Sequence, residues 1–107
     1  MNTENVLMEV LNDSGKVSYN TKEIETNAKL IEETIFNSVK SIKFKGYEIE
    51  PLYIKYFFTA RSGAALKKAL KLSEDVKLKL SARSLRSYIP PETDAVCFEV
   101  ENKKILS

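Results

Sequence analysis

The stretch SIKFKGYEIEPLYIKYFFT, Ser41 to Thr59, decides the fold. Ile42 and Phe44 alternate with Lys43 and Lys45, Gly46 interrupts, and Leu52 to Phe58 is dense in aromatic and β-branched residues. Side chains of these types fit a pleated, half-buried surface, so the spacing predicts two strands joined near Glu48 to Pro51. Pro51 suits a strand start, where its missing N–H costs no ladder bond. The four aromatics Tyr53, Tyr56, Phe57 and Phe58 can be read as a base-stacking platform beside basic residues. Alternation between a core face and a partly covered face is the stronger reading.

Upstream, Asn20 and Glu23 have capping-box spacing, and Ile24, Ala28, Ile31, Ile35 and Val39 follow at intervals of four, three, four and four. That is one apolar stripe along a helix of about five turns. Glu25, Lys29, Glu32 and Glu33 fall on the opposite, solvated face. Before this helix, residues 1–20 read as a lead-in: a short helix or docking segment over residues 1–11, then a loop at Asn12-Asp13-Ser14-Gly15.

Downstream, Ser62-Gly63 breaks the strand pattern, and Ala65, Leu66, Ala69 and Leu70 take helical spacing. Residues 73–82 fit two descriptions. Ser73 with Glu74 and Asp75 has the form of a helix N-terminus. Val76, Leu78, Leu80 and Ala82, alternating with Lys77, Lys79 and Ser81, have the form of a strand. Leu85 to Ile89 then predicts a strand, Pro90-Pro91-Glu92-Thr93-Asp94 a turn, and Ala95 to Val100 a strand with Val96, Phe98 and Val100 on one face. The expected fold is α+β in two layers, in the order α-β-β-α-β-β, with helices on one face of a mainly antiparallel sheet and residues 21–107 forming a single domain.

Composition narrows the chemistry. The 107 residues include no His, no Trp and one Cys. Without histidine there is no Ser-His or Cys-His nucleophile pair and no usual general base. A lone Cys97 cannot close an intrachain disulfide, which suits a reducing, cytoplasmic setting, and its strand position predicts an inert thiol. No apolar run approaches the roughly 20 residues of a membrane span, so no membrane contact is expected. Glu32-Glu33 and Glu48 with Glu50 lack the spacing of a cation site and read as solvated carboxylates. No catalytic residue, metal or cofactor is expected.

The net charge of +2 conceals a partition along the chain. Residues 1–54 hold 6 basic and 9 acidic side chains (−3), residues 55–86 hold 9 and 2 (+7), and residues 87–107 hold 2 and 4 (−2). The basic block comprises Lys67, Lys68, Lys71, Lys77, Lys79, Arg83 and Arg86, with Lys55 and Arg61 upstream. On a helix Lys67, Lys68 and Lys71 share a face, as a track along a nucleic-acid backbone requires. A plain solvated helix face is the simpler reading. Docking onto an acidic face of another subunit, with the −3 segment as partner, is a third.

Asn27 to Ile35 as a helix is followed by Pro51 with the basic-Tyr pair Lys55-Tyr56, by Leu72-Ser73-Glu74-Asp75, by Ala82-Arg83-Ser84-Leu85-Arg86 and by Ala95, Val96, Phe98, Glu99, Val100 and Asn102. In these stretches and in the order of its elements the chain resembles the α domain of the FtsK and SpoIIIE family of DNA translocases, the module preceding a RecA-like motor domain. The resemblance runs from about Thr21 to about Asn102. Three departures point to a distant or mobile-element member: Glu50 stands where the family tends to place a glycine before the proline, the turn PPETD lacks the family's glycine, and that turn is one residue shorter. The resemblance implies a helix from Ser73, a strand from about Ser84, and a non-catalytic part of a hexameric, ATP-driven translocase. Its partners would be double-stranded DNA, neighbouring ring subunits and the RecA-like ATPase domain. The chain's own glycines, Gly15, Gly46 and Gly63, are not followed by Lys-Ser or Lys-Thr, as a phosphate-cradling loop requires. A free-standing nucleic-acid-binding protein and a protein-interaction adaptor without DNA affinity are the alternative functions.

Overall fold

A computed structural model describes residues 21–101. The short helix over residues 1–11, the loop at 12–15, the Asn20 cap and Asn102 lie outside the described residues. The elements are α1 (Thr21–Phe36), β1 (Lys43–Ile49), β2 (Tyr53–Thr59), α2 (Gly63–Leu70), α3 (Ser73–Leu80), β3 (Leu85–Tyr88) and β4 (Ala95–Glu101). The α-β-β-α-β-β order holds, with the second helical segment split in two at Lys71-Leu72. All strand pairs are antiparallel, and the sheet order is β1-β2-β4-β3.

The apolar stripe of α1 is the floor of the helical layer. Ile24, Ala28, Ile31, Ile35 and, just past the helix, Val39 are all buried. The helix stops because Ser38 and Val39 both direct their N–H groups to the Ile35 carbonyl, at 2.9 and 2.7 Å, which tightens the last turn. Strand β2 alternates as its composition predicts. Ile54, Tyr56 and Phe58 point into the core, while Tyr53, Lys55, Phe57 and Thr59 point to the other face, half-buried. From β4, Val96, Phe98 and Val100 join the same core, where Leu66, Ala69 and Val76 arrive from α2 and α3. Each fully buried side chain of this size contributes about 1.5–3 kcal/mol relative to leaving it in water.

Helix α3 resolves the ambiguity of residues 73–82. Of its alternating apolar residues only Val76 is buried, and Leu78 is 71% exposed. Ser73 is the first helical residue rather than the cap: its hydroxyl donates to the Leu70 carbonyl at 2.8 Å and meets the Ser87 hydroxyl of β3. Glu74 and Asp75 occupy the first turn, where the helix dipole favours them. The helix ends at Ser81, which adopts the left-handed conformation (φ 55°) while the Ala82 N–H returns to the Lys77 carbonyl.

Candidate nucleic-acid interface

The basic block does not form one surface. Lys67, Lys68 and Lys71 stand exposed together on the second half of α2 and its C-cap. On α3, Lys77 and Lys79 are two residues apart and therefore diverge by about 200° around the axis. Lys79 lines a groove of about 890 Å³ between α1 and α3 with Lys29, Glu32, Glu33, Asp75 and the exposed Phe36 and Leu78. Arg83 is exposed in the loop after α3, its N–H donating to Glu101 Oε2 at 3.2 Å. Arg86 lies on β3 at the sheet face that the helices leave open, its guanidinium 3.5 Å from the buried carboxylate of Glu99.

That open face carries a polar arrangement with no signal in the sequence. In register across the four strands stand Glu48, Lys55, Glu99 and Arg86, alternating in charge. Glu99 is 6% exposed, and it accepts a 2.6 Å hydrogen bond from the Tyr88 hydroxyl. This bond holds the Tyr88 hydroxyl against the sheet face. The bond to Glu99, reinforced by burial, pushes its phenol well above the ordinary range. Cys97 lies beneath Tyr88 as a buried free thiol, and burial pushes its ionisation up as well, in keeping with an inert cysteine.

Tyr53, Tyr56, Phe57 and Phe58 do not make a stacking platform. Tyr56 and Phe58 are fully buried, the Tyr56 hydroxyl receives the Asn27 amide at 3.3 Å, and Phe58 packs edge-on against Phe98. Burial raises the Tyr56 phenol too.

A further basic cluster has no signature in consecutive charges. The turn after α1 and the turn between β2 and α2 meet around a recess of about 410 Å³. Lys40, Arg61 and Lys68 line it, with Ser38, Ser41 and Ser62 between them. Arg61 and Lys68 belong to the basic stretch of residues 55–86, but Lys40 lies in the net acidic segment of residues 1–54. Only the α1–β1 and β2–α2 turns bring them together.

Among the described residues no group of three His, Cys, Asp or Glu side chains can hold a metal ion, and no helix is long and apolar enough to cross a membrane. Among the described residues, three helices on one face of a four-stranded antiparallel sheet, with separated basic surfaces, define an α+β domain of charged and structural contacts. The chain belongs to the FtsK alpha domain family, whose pattern it matches over residues 6–102. It is 31% identical over 94 residues to a protein named DNA translocase FtsK from Listeria monocytogenes serovar 1/2a (strain ATCC BAA-679 / EGD-e). The match covers 84% of this chain and 12% of that relative, so the chain spans about an eighth of the relative's length.

Proposed function

We propose that the chain is a non-catalytic domain of an ATP-driven, hexameric double-stranded DNA translocase, contributing to the ring around DNA and to coupling between its subunits. The observation that supports this most is the family match over residues 6–102, combined with the small share of a DNA translocase that the chain spans. In that role ATP hydrolysis belongs to a RecA-like neighbour, the setting is cytoplasmic, and this domain supplies surfaces. The lysines of α2, Lys67, Lys68 and Lys71, meet phosphates. The groove between α1 and α3, with Glu32, Glu33 and Asp75 around Phe36 and Leu78, offers charge and apolar area to an adjacent subunit.

Titration of the chain with duplex DNA at low salt tests the DNA contact. The wild type binds, and Lys67→Glu/Lys68→Glu/Lys71→Glu loses at least tenfold in affinity. The mutant also loses up to about 2.7 units of salt slope, three phosphate contacts at roughly 0.9 each. Absence of wild-type binding removes DNA contact from the domain's role.

A further inference from the structure

The recess at the base of α2 is built unlike the other charged surfaces of the molecule. Its three cations come from three segments: Lys40 from the turn after α1, Arg61 from the turn after β2, and Lys68 from the second turn of α2. Among the described residues no carboxylate lines it. Among the described residues none of the three side chains has an ion-pair partner, and Lys40 rests only on the Phe36 ring, 4.6 Å from its centroid. Arg86 shows the contrast, since its charge is answered by Glu99. Three like charges gathered without a counter-charge repel one another, and an anion between them removes that cost.

The backbone supports the same reading. The Arg61 N–H donates to Ser41 Oγ at 3.0 Å, which fastens the two turns that carry Arg61 and Lys40. Ser62 caps α2 by accepting the Ala65 N–H at 3.1 Å. The N–H groups of Gly63 and Ala64 are the first donors of the helix and have no intrahelical acceptor. A Cβ at Gly63 would meet no atom within 4 Å, so the space at the helix start is open. The guanidinium fork of Arg61 suits two oxygens of one tetrahedral anion, whereas the ammonium groups act as point charges. Among the described residues the lining has no aromatic ring to stack on a base and no carboxylate to read a ribose. Recognition there is of phosphate charge, independent of sequence.

We propose that the recess bounded by Lys40, Arg61 and Lys68 is a phosphate site that takes backbone phosphate oxygens of duplex DNA. The assignment rests on the DNA-contact reading above, shares Lys68 with the α2 lysines and adds Lys40 and Arg61 from the two turns. It extends the contact from α2 alone to three segments of the chain, and a contact made by three segments fixes the orientation of the domain on a duplex where one helix does not.

The test is an amide chemical-shift titration of the 107-residue chain with a short duplex at low salt, with inorganic phosphate in a parallel arm. With the duplex, the Gly63 and Ala64 amides shift. Lys40→Glu/Arg61→Glu weakens duplex binding at least tenfold and lowers the salt slope by about 1.8, two phosphate contacts at roughly 0.9 each. Lys40→Arg/Arg61→Lys, which keeps both charges, retains most of the affinity. Both positions are exposed, and amide dispersion checks that the fold persists. Duplex binding with unaltered affinity and slope in Lys40→Glu/Arg61→Glu overturns the recess and leaves the DNA reading standing on α2. Gly63 and Ala64 shifts with inorganic phosphate but no duplex binding by the wild type overturn the DNA assignment and the functional reading together.

Discussion

The two halves of the domain, α1-β1-β2 and α2-α3-β3-β4, follow the same order of helical segment and hairpin, and each places its second strand in the middle of the sheet. The two central strands nevertheless differ. In β2 burial alternates from residue to residue, whereas β4 is buried at six successive positions, Ala95 to Val100. The cause lies with their edge neighbours. Opposite Phe57, β1 presents Gly46, which offers no side chain, and a recess of about 340 Å³ opens there. Opposite Cys97, β3 presents Tyr88, whose ring and hydroxyl reach over to Glu99 while Arg86 closes on the same carboxylate. An edge strand of four residues thus covers its neighbour better than one of seven. Cover depends on which side chains face outward, more than on strand length.

The largest effect expected concerns what the halves share. Phe58 and Phe98, one from each central strand, are fully buried with ring centroids 5.9 Å apart in an edge-to-face pair. Phe98→Ala and Phe58→Ala each lower unfolding free energy by about 3–5 kcal/mol, the cost of a large buried side chain and the cavity it leaves. In urea denaturation the double variant departs from additivity by roughly 0.5–3 kcal/mol, because the two rings are in contact. Strict additivity would mean that the halves stabilise themselves separately.

The next effect distinguishes the halves. Tyr88→Phe removes one hydrogen bond from the buried Glu99 carboxylate and costs about 1–3 kcal/mol at neutral pH. The sign of its pH dependence follows from the raised phenol. Folding makes Tyr88 hold its proton more firmly than its ordinary value of 10.0 allows, chiefly through the bond to Glu99 and then through burial. That contribution is fully present below pH 10 and declines above it, where the unfolded chain ionises Tyr88 and the folded one does not. Urea midpoints of wild type and Tyr88→Phe, measured from pH 7 to 11, therefore converge at the alkaline end. A constant gap between them would show that the Tyr88 hydroxyl contributes nothing through Glu99.

The parts of this architecture that could be read from sequence are those with a clean period. Ile24, Ala28, Ile31 and Ile35 repeat at helical spacing, and Ile54, Tyr56 and Phe58 repeat at strand spacing, and both sets lie in the core. Helix α3 carried a misleading period. Val76, Leu78 and Leu80 alternate as in a strand, yet on the helix Val76 is buried, Leu80 packs partly buried against the core and Leu78 is exposed. The charge block misled in another way. Proximity along the chain put Arg86 with Lys67, whereas the fold sends Arg86 to the open sheet face and joins Lys68 to Lys40 and Arg61. The burial of Glu99 had no local signature, since it follows from which strands flank β4.

The smallest effect lies in the turns that close the two hairpins. The first turn, around Glu50 to Leu52, contains no residue with positive φ, and the Glu50 N–H donates to the Tyr53 carbonyl at 2.8 Å. The second, Pro90 to Asp94, holds Glu92 at φ 60°, a left-handed conformation in which a Cβ crowds the following carbonyl. It is the same turn that lacks the glycine expected from the family resemblance. Glu92→Gly relieves roughly 1–2 kcal/mol of strain but gives back about 0.5–1 kcal/mol through the greater freedom of glycine in the unfolded chain. The net expected result is a gain of a few tenths to about 1 kcal/mol, read as a rise in the urea midpoint with unchanged slope. A loss of stability instead would mean that the Glu92 side chain makes a contribution larger than its backbone strain. The second hairpin would then depend on that turn, in addition to the cover that Tyr88 and Arg86 provide.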